Sequence, residues 1–326
     1  MPTQLELHSH RVLREMIAGR VVPFFGAGVN LCDRPDQVHW EEEQKKFLPS
    51  GSELSKFLAT SFQYPDENVN DLSRVSEFVD LISGSGPLYD ELHRVFDNDY
   101  PLTSLHQFFA NLPDAFRKKE YPPRYQLIVT TNYDDLMEKA YAKASQEIDI
   151  VTYIASGDNA GKFLHIKPSG EEETVHKPNE YQGIELDEFE NLIRPVVLKL
   201  HGAVKRKEIG ADNDSYVITE DHYINYLTNT DISTLLPLTI AHKLRRSHFL
   251  FLGYGLRDWN LRVILHRLWG DQKLSYLSWA IQRDPDEIES KIWRNKGVEI
   301  FNEDLKSYIQ LLQQCLNELD KKKAIS

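Results

Sequence analysis

Four short stretches carry residue types and spacings that could do chemistry. "VVPFFGAGVN" closes an apolar run with Gly26-Ala27-Gly28. Glycines there let the backbone turn tightly and bring amide N–H groups close to a phosphate. "YQLIVTTNYDDLMEKAYAKA" ends its apolar run at Val129 and opens a helix with Thr131, Asn132, Asp134 and Asp135. Asn132 and Asp135 have the spacing of a capping box, yet the segment holds more polar groups than one cap needs. Asn132 and Asp134 can therefore offer an amide and a carboxylate to a ligand, with Asp134 or Asp135 as the cap. "PVVLKLHGAV" sets His201 directly after a buried run, where an imidazole can serve as a general base. "SHFLFLGYGLRDWNLRVIL" ends on Gly253 and Gly255, and Asp258 either caps the next helix or meets a nucleotide.

These stretches need elements that hold them in one crevice. "VVPFF", "YQLIVT", "PVVLKL", "SHFLFLG", "LSYLSWA" and "GVEIF" read as short buried strands. Helical patterns lie between several of them, at Asp134–Ala144, Ile232–Arg245 and Leu256–Leu268, with a first helix ending near Gly19 and a last one from "NEDLKSYIQLLQQCLNELDKKK". Alternation of this kind predicts an α/β fold, a Rossmann-like parallel sheet with helices on both faces. Ligands of such sheets collect at the carboxyl ends of the strands. Residues from about 33 to 123 contain no convincing strand; "SELSKFLATSF", "VNDLSRVSEFVDLIS" and "LTSLHQFFANL" read as helices of an insertion. Residues from about 155 to 192 read as hairpins and loops. One domain over 1–326 is expected, with its core at about 20–32 and 124–326.

Composition narrows the function classes. The 326 residues carry a formal net charge of −12, which disfavours unaided nucleic-acid binding. Two cysteines, Cys32 and Cys315, exclude a four-cysteine zinc module or a disulfide framework and suit a reducing cytoplasm. No run approaches the ~20 apolar residues that span a bilayer, so no membrane association is expected. "GDNAGKF" imitates a phosphate-binding loop, but it has three residues between its glycines where four are needed, and Phe163 where Ser or Thr should hold magnesium.

In order and character the four stretches resemble the sirtuin-like family, in particular its bacterial branch of NAD-degrading antiphage effectors. The matching residues are Gly26-Ala27-Gly28, Asn132-Tyr133-Asp134, His201-Gly202 and Gly253-Tyr254-Gly255. The likeness runs from about Val21 to Leu268. It implies that the first glycine turn holds the NAD pyrophosphate and that Asn132 and Asp134 meet the nicotinamide-ribose end. His201 would be the base, and Gly253 and Tyr254 would line the adenosine half. The implied cofactor-binding set is Gly26, Ala27, Gly28, Val29, Thr131, Gly253, Tyr254 and Asp258, with Asn132, Asp134 and His201 as the catalytic set.

The sirtuin segment Gly-Ile-Pro-Asp-Phe-Arg is replaced here by "NLCDRPDQVHW", and no zinc module is recognisable. Hydrolysis of NAD to nicotinamide and ADP-ribose is therefore expected ahead of protein deacylation or ADP-ribosyl transfer. An NAD or ADP-ribose sensor without catalysis stays open. NAD is expected as substrate, with no metal. The resemblance further implies a cytoplasmic homo-oligomer, held in check by a trigger or by a partner such as a helicase-type ATPase.

Overall fold

Runs of β-branched and aromatic residues too short for helices make the centre of the molecule. The computed structural model describes residues 3–205, 215–228, 235–255, 262, 265 and 276–319. β1 (Val21–Phe25), β2 (Leu127–Thr130), β6 (Val196–Lys199) and β9 (His248–Leu252) are buried along their whole length, as strands covered on both faces must be. β3 (Asp149–Tyr153), β4 (Phe163–Ile166), β5 (Glu172–Val175), β10 (Ser278–Gln282) and β11 (Val298–Asn302) complete one nine-stranded sheet, ordered β11-β10-β9-β1-β2-β6-β3-β4-β5. From β11 to β3 every pairing is parallel; β3–β4 and β4–β5 are antiparallel. The chain leaves β1 for β2 on one side and returns to β9 on the other. Strand order therefore reverses at β1, the place where such sheets open a ligand crevice.

Helices cover both faces. Val21, Phe25 and Ile128 share one core with α1 (Gln4–Ile17), α5 (Ser104–Lys118), α6 (Leu136–Lys143) and the last helix, α10 (Leu305–Glu318). Val22, Phe24 and Val129 point the other way, toward α7 (Glu220–Thr228), α8 (Leu238–Arg245) and α9 (Glu287–Asn295). The two-residue period of a strand makes this division.

The segment between β1 and β2 is helical. α2 (Gly51–Ser61), α3 (Leu72–Ser83) and α4 (Ser85–Phe96) form a third core that takes in Tyr133, Leu136, Tyr216 and Ile218. That packing sets the insertion against the loop after β2. Helix α2 is started by a full capping box, Ser50 with Glu53, and α3 by Asp71 bonded to the Arg74 amide. Helix α4 has no side-chain cap and was hidden in the sequence by the "SGSGP" break, although Leu88, Tyr89, Leu92, Val95 and Phe96 keep helical spacing.

Two sequence expectations need revision. β3 went unrecognised, although "DIVTY" is β-branched and buried. The expected helix Ile232–Arg245 is broken at Leu236-Pro237, between a helical Leu235 and α8 from Leu238, because Pro237 has no N–H to give and restricts the residue before it; residues 232–234 lie outside the described residues. "GDNAGKF" is the turn between β3 and β4, with Gly157 and Gly161 both at positive φ and Lys162 bonded to Asn159. The expected helix Leu256–Leu268 lies, apart from Arg262 and Leu265, outside the described residues.

Candidate active site

The glycine turns after β1 and β9 lie against each other with no room for a side chain at Gly26, Gly28 or Gly253, while Gly255 faces open space. The Gly26 amide donates to Leu252 O and the Gly28 amide to Gly253 O, both at 3.0 Å. A Cβ on Gly26 would lie 2.6 Å from Gly253 O, and one on Gly28 2.8 Å from Gly253 Cα. Gly253 itself has φ +73°, and a Cβ there would fall 2.4 Å from the Val29 nitrogen. Gly253→Ala therefore combines a left-handed backbone with a backbone clash. It should cost about 1–3 kcal/mol, read as a lower denaturant midpoint at unchanged slope. The spacing suggested amides free for a phosphate; those of Gly26, Gly28 and Val29 are already donors to Leu252, Gly253 and Gly26 carbonyls. These glycines supply close approach, and the exposed Ala27 is the part of the turn that faces outward.

The loop after β2 is tied to both turns. Thr131 Oγ1 and the Tyr254 hydroxyl are 2.6 Å apart, bridging the ends of β2 and β9 across the β1 turn. Asn132 does not cap α6. Its backbone N–H goes to Thr130 Oγ1 at 3.0 Å, and its side-chain Nδ2 donates to Gly26 O at 3.2 Å. The N-cap position is Asp135, and the side-chain bond to the first amide of the helix comes from Asp134, whose Oδ1 accepts from the Leu136 N–H at 3.0 Å. Its Oδ2 accepts from Asn30 Nδ2 at 2.7 Å. Beneath this loop, Lys199 at the end of β6 is 1% exposed. Its ammonium donates to the Asp134 carbonyl and, at 2.8 Å, to Glu138 Oε1. Burial pushes the Glu138 carboxyl up, and the Lys199 charge opposes that shift.

His201 follows two residues later, 5% exposed and edge-on to Tyr223 and Tyr226. Its Nε2 has no hydrogen-bond partner. By contrast, both ring nitrogens of the buried His165 are bonded, to Asp149 at 2.9 Å and Tyr181 at 2.6 Å. Burial lowers the His201 pKa to about 3, so the imidazole is neutral at physiological pH. Gly202 supports this position: φ is +82°, and a Cβ would overlap Ser215 O where β7 (Gly202–Ala203) pairs with β8 (Ser215–Tyr216).

Burial also holds His8 at about 3 and His106 at about 4. All three histidines lie below their unfolded value near 6.5, so the unfolded chain takes up protons first as pH falls. Their contribution is complete above about pH 6.5 and is lost downward toward pH 3–4. The melting temperature should therefore drop between pH 7 and pH 5, and variants lacking one of them should show a shallower drop.

These groups line one cavity of about 600 Å³. Ala27, Thr131, Asn132, Asp134, His201, Gly253 and Tyr254 all line it, so the structure brings together seven of the eleven residues of the catalytic and cofactor-binding sets, with Gly255 beside them. Gly26, Gly28 and Val29 support its floor, and Asp258 lies outside the described residues. Sequence reasoning missed Asn30 and the insertion's contribution. Ser50, Asp71 and Phe96, at helix ends, and Asn68, in the loop before α3, form the opposite wall, whose place over the cavity follows from tertiary packing alone. Among the described residues no group of three or more His, Cys, Asp and Glu is placed to hold a metal ion, and no helix is long and apolar enough to cross a membrane.

A SIR2-like domain profile matches residues 126–301, just over half of the 326-residue chain. The chain belongs to the SIR2-like family. It is 24% identical over 291 residues to Defense-associated sirtuin 2 of Bacillus subtilis, covering 87% of this chain and 23% of that protein. It is 24% identical over 318 residues to the NAD(+) hydrolase ThsA of Bacillus cereus (strain MSX-D12), covering 93% of this chain and 52% of the relative. To the NAD(+) hydrolase ThsA of Acinetobacter baumannii (strain 532279) it is 27% identical over 203 residues, 56% of this chain and 34% of the relative. This SIR2-like chain thus spans about half or less of the length of these relatives. The profile begins at Gln126, so the β1 glycine turn and Asn30 lie before the matched segment while Asn132, Asp134, His201 and Gly253 lie within it.

Proposed function

We propose that this chain is an NAD+ hydrolase that cleaves NAD to nicotinamide and ADP-ribose, as an effector that depletes NAD in bacterial antiphage defence. The observation that carries this reading is the single cavity shared by Asn132, His201 and the facing glycine turns. The likeness to an NAD(+) hydrolase and to a defense-associated sirtuin supports it. The overall reaction takes up one water and releases one proton with nicotinamide and ADP-ribose. As the N-glycosidic bond breaks, its electron pair leaves with the nicotinamide ring, which becomes neutral, while positive charge develops at the ribose C1′. Asn132 orients the water or a ribose hydroxyl, and neutral His201 accepts a hydrogen bond and then the proton as water adds to C1′. Asp134 places its negative charge below the site and keeps Asn30 in position.

Asn132 and Asp134 separate chemistry from folding. Asn132→Ala loses one hydrogen bond to Gly26 O and no helix cap, so stability should fall by no more than about 1 kcal/mol. Nicotinamide release should nonetheless drop by about two orders of magnitude or more. Asp134→Ala removes the bond to the first amide of α6 and the Asn30 partner together, so it should lose about 2 kcal/mol or more. Melting curves and product release measured on the same two variants test the assignment. Undiminished turnover in Asn132→Ala would remove that residue from the chemistry.

A further inference from the structure

Asn30 has no assigned role, and its surroundings point to one. It sits in the turn after β1, lines the cavity and is only 6% exposed. Its Nδ2 donates to Asp134 Oδ2 at 2.7 Å, while its Oδ1 is buried with no partner at all. The amide cannot be turned the other way round, because an ionised carboxylate only accepts and so demands the nitrogen. Asp134 is itself fixed, by the Leu136 N–H on Oδ1 and by the Lys199 ammonium on its carbonyl. The protein therefore maintains a shielded acceptor beside the cavity, an arrangement that costs about 1–3 kcal/mol when nothing bonds to it. A ligand with a matching donor removes that cost.

Resting on the NAD reading above, we propose that Asn30 is a specificity-determining residue that accepts a hydrogen bond from the carboxamide N–H of the nicotinamide ring. The site then takes NAD and turns away the dinucleotide that carries nicotinic acid. The ring of NAD is cationic before cleavage, so the Asp134 carboxylate attracts it, and its carboxamide offers the donor that Asn30 lacks. A nicotinic acid ring offers no N–H. Its carboxylate would meet an acceptor oxygen on Asn30 and the Asp134 charge behind it. A site built around a hydrogen-bond donor discriminates strongly against an analogue lacking that donor, because its own polar group stays unpaired.

The test compares NAD with nicotinic acid adenine dinucleotide on the whole chain, by calorimetric Kd and by release of the free base. Wild type should favour NAD on the order of 10–100-fold. Asn30→Leu, close in size and without an acceptor, should shrink that ratio about tenfold or more. Asp134→Asn gives the second arm, because a neutral amide there lets Asn30 turn its nitrogen toward the ligand. The ratio should shrink or invert, a change that lost packing would not produce. An unchanged ratio in Asn30→Leu overturns the proposal; should that variant fail to fold, an unchanged ratio in Asp134→Asn does so. Wild-type binding of NAD without preference overturns the role of Asn30 and leaves the NAD reading standing. Binding of neither dinucleotide overturns both.

Discussion

His201→Ala is expected to lower nicotinamide release by about 10²–10⁴-fold, the usual effect of removing a positioned base. The fold should survive. The substitution deletes a nitrogen that is buried without a partner, which relieves a cost of about 1–3 kcal/mol, and leaves a hole of similar cost in the opposite direction. The melting temperature should accordingly move little while activity collapses. A second signature follows from the lowered pKa. In the free protein the imidazole is neutral down to about pH 3, so kcat/KM should show no acid limb near pH 6.5 arising from this residue. An inflection near 6.5 that disappears in His201→Ala would mean that His201 is solvated in the working protein. Turnover unchanged in the variant would place the base elsewhere.

The largest effect on stability is expected from Lys199→Met. Lys199 is buried, and its ammonium is shared between the Glu138 carboxylate and the Asp134 carbonyl. Removing one partner of such a pair leaves an uncompensated charge or a protonated acid in the core, at about 3–5 kcal/mol. The double change Lys199→Met with Glu138→Leu removes both charges and should recover much of that loss, since apolar replacement of a buried pair is often close to neutral. Denaturant titration of the two proteins decides the point. Activity should not recover with stability. The Asp134 carbonyl would still lack its donor, and the loop carrying Thr131, Asn132 and Asp134 is placed by that bond. Full activity in the double variant would show that the loop holds its shape without Lys199.

Much of the fold was legible because parallel strands leave a plain trace. Six short apolar runs ending in Gly, Asn or charged residues became β1, β2, β6, β9, β10 and β11. β3 escaped because "EIDIVTYIASG" lacks the break that framed the others, and α4 escaped because a Gly-Ser-Gly-Pro stretch reads as a loop although Pro is tolerated in a first helical turn. The candidate site was legible as residue types at strand ends, a position that the fold class itself marks for ligands. Its interior was not. Nothing local signals that Asn30 bonds Asp134 across 104 residues, or that Lys199 reaches back to Glu138 across 61. Nor does the helical spacing of α2 and α3 tell that their first turns face the glycine turns. Asn132 shows the limit most clearly. Its spacing to Asp135 fits a cap, and only the structure reveals that Asp135 holds the N-cap position while Asp134 bonds the Leu136 amide.

The most direct measurement is incubation of the whole chain with NAD, with nicotinamide and ADP-ribose quantified as they appear. Released together in equal amounts, with no acyl peptide or acceptor protein added, the two products are the result predicted here. NAD recovered intact from a protein that binds it saturably, or consumed only when an acceptor is present, would contradict it.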